Sequence, residues 1–312
     1  MIGRLSRLAA FYALKPQYEE PSDPALGDDQ LAEVLGEYPD VTALDLRGCT
    51  NLTSAAIASL RALPQLVALN LSTTRIESEA LGELATFPSL RIAVLNETAI
   101  RDGDAARLLA CRRLRELSLN QTAVGNRAIV ATHGFRLRRL GLNGTAIDDR
   151  AVAALARFGY IGLLGVQGTG VTDDGVTVLA ARDMTWTLNI AGCRVTDEGF
   201  GRLASMKNLR HLFCDGIAVT DALDAMPPNL EILDAANTAI GDDAVTKLTK
   251  CLLLRRLRLF GTRVTDACVP SLLRMDLELL DIRETSISDG ARTALLAHFG
   301  AEVLLDSDVQ AP

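Results

Sequence analysis

A stretch of about 24 residues returns, altered but recognisable, from Val41 almost to the C-terminus. No other feature constrains the fold as tightly. A unit that small cannot bury its own apolar side and must stack on copies of itself. Residues 137–160, LRRLGLNGTAIDDRAVAALARFGY, state the unit most fully. Leu140 and Leu142 alternate with Arg139 and Gly141, the period-two pattern of a short strand. Thr145-x-Ile147 reads as a turn whose Ile points inward. Asp148-Asp149 then precedes Val152, Leu155 and Ala156, an apolar helical stripe. A short acidic residue here suits a helix N-cap.

Strand starts fall at Val41, Leu66, Leu90, Leu114, Leu137, Ile161, Thr185, Leu209, Leu230, Leu254 and Leu277, with spacings of 21 to 25 residues. The Asp149 slot recurs as Asp102, Asp173, Asp197, Asp221, Asp242, Asp266 and Asp289. The motif L-x-x-L-x-L-x-x-T-x-[IV]-x-D across residues 41–300 resembles the leucine-rich repeat family. It is most similar to the ~24-residue cysteine-containing, ribonuclease-inhibitor-like type. The resemblance implies an α/β solenoid of the horseshoe kind, with a parallel sheet on the concave face and helices on the convex face. About eleven repeats plus caps are expected, together with a binding role. The Asn or Cys usual after the strand is mostly Thr here: Thr74, Thr98, Thr122, Thr145, Thr169, Thr238, Thr262 and Thr285. Their hydroxyls are expected to bond backbone groups of the turns. Residues 1–40 are too short and too unlike an F-box to supply one.

The expected organisation has four parts. Residues 1–25 form an N-terminal arm or helix. With Arg4 and Arg7 beside Leu5, Leu8, Phe11 and Tyr12, it reads as a docking cap, a signal peptide, or a disordered or membrane-touching arm. Residues 26–40, with Leu31, Val34 and Leu35, form a cap that is half a repeat. Residues 41–300 are the repeats, and 301–312 close the end. One copy is short: the 21 residues from Leu209 to Asn229 contain Pro227-Pro228, which predicts a turn or 3₁₀ segment in place of a helix.

Composition removes several classes of function. The net charge of −7 disfavours a nucleic-acid or anionic-membrane binder. No run of 18 apolar residues predicts a membrane span. The six cysteines form no C-x-x-C pair and read as small buried apolar residues in a reducing, cytoplasmic setting. His133, His211 and His298 stand far apart, and no nucleophile, P-loop or zinc motif appears. No enzyme activity, cofactor or metal is therefore expected. Asn51, Asn96, Asn120 and Asn143 begin N-x-T sequons. Three of them share repeat columns, which favours a structural origin over glycosylation.

The variable strand slots mark where a protein partner would sit. Across eleven strands they carry ten Arg and nine Asp or Glu, a balance unlike a basic nucleic-acid groove. The first half shows an amide row, Asn70, Asn96, Asn120, Asn143 and Gln167, read as a ladder between strands. The second half shows Trp186, His211, Phe213 and Phe260 among Asp215, Asp234, Arg256, Arg258, Asp281 and Arg283. Aromatics flanked by Arg suit a protein interface. The sequence thus predicts a protein-interaction module gripping its partner on the C-terminal half of the concave face. Two alternatives stand beside it: a bacterial effector acting through the same repeats in a host cell, and a self-assembling structural protein.

Overall fold

The computed structural model describes residues 24–305, apart from Phe135 and residues 222–225. The expectations for the N-terminal arm therefore lie outside the described residues. The chain forms two compact units, Met1–Ala146 and Ile147–Pro312.

In the first unit the helix Asp28–Glu37 precedes five strands: β1 Ala43–Asp45, β2 Ala68–Asn70, β3 Ile92–Val94, β4 Glu116–Ser118 and β5 Arg139–Gly141. They pair in parallel, each with the next in sequence. The second unit repeats the plan with β6 Leu163–Gly165, β7 Thr187–Asn189, β8 His211–Phe213, β9 Ile232–Asp234, β10 Arg256–Arg258, β11 Leu279–Asp281 and β12 Leu304–Leu305. These too pair in parallel and in sequence order. This is the α/β leucine-rich-repeat solenoid that the motif implies. β12 belongs to the degenerate last copy, and it continues the ladder beyond β11.

The strands are shorter than the alternation predicts, three residues each in the main repeats. The opening Leu of each motif stays outside the ladder and is buried as part of the core, as at Leu66, Leu114 and Leu209. Seven residues after that Leu the backbone turns left-handed once per repeat, from Gly48 to Glu284, with φ between 53° and 76°. Glycine fills six of these positions. Thr73, Glu97, Gln121, Asn237 and Glu284 fill the others and carry the steric cost of a Cβ in that region.

The core runs through the repeating apolar slots. In one repeat Leu164, Val166, Val176 and Leu179 are all fully buried. Thr185 stands where the motif has Leu. It is buried too, with its hydroxyl bonded to backbone carbonyls of Gly162 or Thr187, so β7 keeps its register against β6. Of the cap residues, Leu31 and Leu35 are buried, whereas Val34 lies on the exposed side.

Two polar columns hold the stack. The threonine column behaves as expected. From Thr74 to Thr285 each hydroxyl donates to the carbonyl three residues back, at 2.6–2.7 Å. The aspartate column differs from the expected N-cap. The caps are the preceding residues, Asp148, Thr172, Thr196, Thr265 and Ser288. The aspartates reach into the next repeat. Asp149 accepts from the backbone N–H and hydroxyl of Thr172 at 2.9 and 2.6 Å. Asp173 does the same with Thr196, Asp197 with Thr220, Asp242 with Thr265 and Asp266 with Ser288. The carboxylates crowd the next helix, so Gly175 and Gly199 stand where a Cβ would collide with Asp149 and Asp173.

The short repeat preserves the sheet. His211 pairs with Ile232 and Phe213 with Asp234 in the same register as elsewhere. The turn or 3₁₀ segment expected in this copy falls partly on residues 222–225, outside the described residues. Met226 and Pro227 beyond them are buried, and Cys251 Sγ donates to the Pro227 carbonyl.

Candidate protein-binding surface

The second, fourth and sixth residues after each opening Leu project from the sheet away from the core. In the second unit the predicted residues fall into two groups on this face.

The first group lies on β7 and β8. Trp186, just before β7, is 37% exposed, and its ring centre lies 5.7 Å from that of His211 with the planes tilted by 41°. His211 Nδ1 is 3.0 Å from Thr187 Oγ1, and Nε2 is 3.7 Å from Glu231. Burial lowers the His211 pKa; Glu231 opposes this, and Arg256 and Arg210 add to it. Phe213, half-buried, shares the strand and face of His211 and lies between Asn189 and Asp234 in the register. Asp215 ends the group and accepts from Asn237 at 3.3 Å.

The second group lies on β9 to β11 and is built around buried carboxylates. Arg258 donates to Asp234 at 3.0 Å and stands 3.5 Å from Asp281. Asp281 receives Nε and Nη2 of Arg283 at 2.8 and 2.7 Å, a bidentate pair. The Arg283 guanidinium carbon is 5.6 Å from the centre of the Phe260 ring, a cation–π contact. Arg256 stands 4.0 Å from Glu278. Burial pushes the Asp281 carboxyl up, but the hydrogen bonds and charge of Arg283, with the charge of Arg258, outweigh it and hold the pKa down. Burial prevails at Asp234, whose carboxyl is raised despite Arg258.

Asp234 and Asp281 therefore differ from the expected exposed contacts. Both are buried, and both accept the backbone N–H two residues ahead, a local turn that Asp45, Asn70 and Asn189 also make at this slot. They act on the surface through the arginines that they hold. The two groups do not merge through their rings: among the described residues no ring contact joins Phe213 to Phe260, whose strands lie two apart, about 10 Å.

Several members were not picked out from the sequence: Thr187, Arg210, Glu231 and Glu278. The signal existed, because a period of 24 makes residues one repeat apart neighbours across the sheet. Glu231 stands 20 residues from His211 only because the repeat between them is short.

In the first unit the amide row is a ladder. Asn96 Oδ1 accepts from Ser118 Oγ at 2.7 Å and from the Asn120 N–H at 2.9 Å, and Asn120 Oδ1 accepts from the Asn143 N–H at 2.9 Å. Asn70 and Ser72 are buried and bonded to each other.

Away from the sheet face, an open cleft of about 440 Å³ lies at the helix starts, lined by Asp221, Asp242, Asp243 and Arg263 among others. Its acids are engaged in the interrepeat column: Asp221 accepts from the N–H groups of Gly241 and Ala244. Among the described residues, no group of three or more His, Cys, Asp or Glu could hold a metal ion. Within the same residues no helix is long and apolar enough to cross a membrane.

No family model and no curated protein matches the chain. Solved structures do. An internalin, inlF, from Listeria monocytogenes aligns over 92% of this chain and 90% of its own, at 17% identity and a TM-score of 0.52. Internalin C2 from the same organism aligns over 66% and 84%, at 21% identity and a TM-score of 0.48. The plant peptide hormone receptor RGFR1, in complex with RGF2, aligns over 87% of this chain and 52% of its own, at 13% identity and a TM-score of 0.44. At 17% identity the likeness to inlF is one of fold: the solenoid of this chain is similar to that of an internalin.

Proposed function

We propose that this chain is a non-enzymatic protein-interaction module that binds a protein partner on the sheet face of its second unit. One observation carries the reading. Trp186, His211, Phe213, Phe260 and the heads of Arg256, Arg258 and Arg283 stand on that face, and buried carboxylates fix Arg258 and Arg283 in place. Aromatic and Arg side chains held in one geometry before binding are the groups that dominate protein interfaces, because little conformational entropy remains to be lost. An internalin-like solenoid is consistent with this use. The test is capture of partners by tagged wild-type protein beside Phe213→Ala and Phe260→Ala, both checked for folding. The reading predicts that specific partners are lost from both variants; identical capture by all three proteins overturns it.

The same reading assigns the chain to a reducing, cytoplasmic setting. None of its six cysteines is in a disulfide, and five are buried. Burial pushes the Cys251 thiol up to about 11 and that of Cys268 to about 12. Alkylation of the unfolded chain straight from lysed cells tests this: six reactive thiols support it, and disulfides overturn it.

A further inference from the structure

Counted along the sequence, the exposed strand slots are close to neutral. Burial separates the two signs on the second unit. Across β9 to β11 the central slots hold three cations, Arg256, Arg258 and Arg283, and two anions, Asp234 and Asp281. The arginine side chains are 40, 28 and 37% exposed, whereas the carboxylates are 12 and 0% exposed. An approaching partner meets guanidinium groups, and the neutralising charge lies beneath them. The acids that do reach the surface stand around this centre: Glu231 and Glu278 at the strand starts, Glu284 past the end of β11, and Asp215 past the end of β8.

The arginines also keep donors in hand. A guanidinium has five N–H groups. Arg258 gives one hydrogen bond, from Nη1 to Asp234, and its Nε lies 3.5 Å from Asp281. Arg283 gives Nε and Nη2 to Asp281. Arg256 stands beyond hydrogen-bond distance from Glu278. Forked donors held at fixed positions match carboxylates. Phe213, which ends β8, pairs with the buried Asp234 in the register, and Phe260 lies two residues past the end of β10, so they offer apolar surface on either side of β9.

From this asymmetry we infer that the face takes an acidic segment of its protein partner. Carboxylates meet Arg256, Arg258 and Arg283, and an apolar side chain lies between Phe213 and Phe260. The inference rests on the reading of this face as a protein-binding surface and adds the chemistry of what is bound. Asp215 bounds the cationic area on the β8 side, and Glu278 and Glu284 bound it at the two ends of β11.

The test uses the full chain to select from a displayed library of random peptides, then measures the selected peptides by fluorescence polarisation. Peptides rich in Asp and Glu with an aromatic or aliphatic residue are expected, binding more weakly as salt rises. Arg258→Gln strands the buried Asp234 and endangers folding, so the deciding variant is Arg256→Glu, whose partner Glu278 is exposed. It should melt like the wild type and lose about tenfold or more in affinity for these peptides. Selected peptides that are neutral or basic, unaffected by Arg256→Glu but lost in Phe213→Ala, overturn the acidic chemistry and leave the binding face standing. Peptides that bind independently of both Phe213 and Phe260 overturn both. A single-stranded DNA probe bound as tightly as the acidic peptides overturns the assignment to a protein segment.

Discussion

The two units present the same sheet with opposite surfaces. On β2 to β5 the fourth and sixth slots hold mostly short polar side chains, Asn70, Ser72, Asn96, Ser118, Asn120 and Asn143, which bond mainly to one another and to the backbone, and Arg139, paired with Glu116, is the long exception at the second slot. On β8 to β11 the same slots hold Phe213, Arg256, Arg258, Phe260 and Arg283, which extend past their partners. A ladder of amides satisfies its polar groups internally and offers a partner little that is new. Arginines held by buried acids keep donors over. An identical backbone thus carries an amide ladder in one unit and the proposed recognition surface in the other, and the side chains at three slots make the difference.

The sharpest way to break this comparison uses one slot in both units. Asp45 and Asp281 occupy it, and each is paired with the Arg two residues on. Asp281→Ala removes a fully buried carboxylate and strands Arg283 and part of the field on Arg258, at a cost of about 3–5 kcal/mol. Asp45 is partly exposed, and Asp45→Ala should cost below about 1 kcal/mol. Urea titrations of both variants check this; equal losses would show that burial of the acids does not set the second face apart.

Binding should divide the units in the reverse sense. Phe213→Ala is expected to weaken partner binding by about 2 kcal/mol, roughly 30-fold, with little change in melting temperature. Asn96→Ala should cost about 1–2 kcal/mol in stability and leave affinity unchanged. Titration calorimetry with a selected peptide and thermal melts give both readouts. An affinity loss in Asn96→Ala would extend the binding surface into the first unit.

The two faces should also differ in acid. His211 has a folded pKa lowered by burial, so the unfolded chain takes up the proton first. Its contribution to stability is present above about pH 6.5 and is lost as pH falls from there through the folded value. The groups around it are Thr187, Trp186, Glu231, Arg210 and Arg256, and only Glu231 opposes the shift. Asp281 also has a lowered pKa, and its contribution is lost further down, below about pH 3.9. Asp234 is raised, so its ionisation works against stability as pH rises through the carboxylate range. His211→Gln should flatten the stability profile just below about pH 6.5 and leave the lower step in place. No outward slot of the first unit carries a histidine.

The smallest effect concerns the left-handed turn. Glu97→Gly relieves a Cβ at φ 56° and should stabilise by up to about 1 kcal/mol, net of the freedom gained by the unfolded chain. Gly261→Ala, where a Cβ would strike the Asn237 side chain, should destabilise by about 1–2 kcal/mol. Chemical denaturation of the two variants decides whether this column limits both units alike.

The architecture was legible because the core slots repeat with little variation: Leu140 and Leu142 need only their own neighbours to announce a strand. What depended on a residue one period away was harder to read. Asp149 looks like a cap when its own helix is considered. Its actual partner, Thr172, becomes visible only when the sequence is written in rows of 24. On the sheet face, Asp234, Asp281, Phe213 and Arg258 share one slot, so pattern alone assigns them one exposure. Side-chain length decides otherwise. A short carboxylate sinks between two long arginines, and only coordinates show which atoms remain on top.

The carboxylate that always reaches one unit forward has a further consequence for how this chain can change. Remove the residues from one aspartate of the column to the next, and the aspartate left at the junction meets an equivalent backbone N–H at the distance it needs. Remove half as many, and it meets nothing. Whole copies can be gained or lost by recombination, whereas the interval between them is guarded. Asp221, at the head of the one shortened interval, takes its bonds from the backbone N–H groups of Gly241 and Ala244, and a Cβ at position 241 would strike its carboxylate, so the column constrains its neighbour there too.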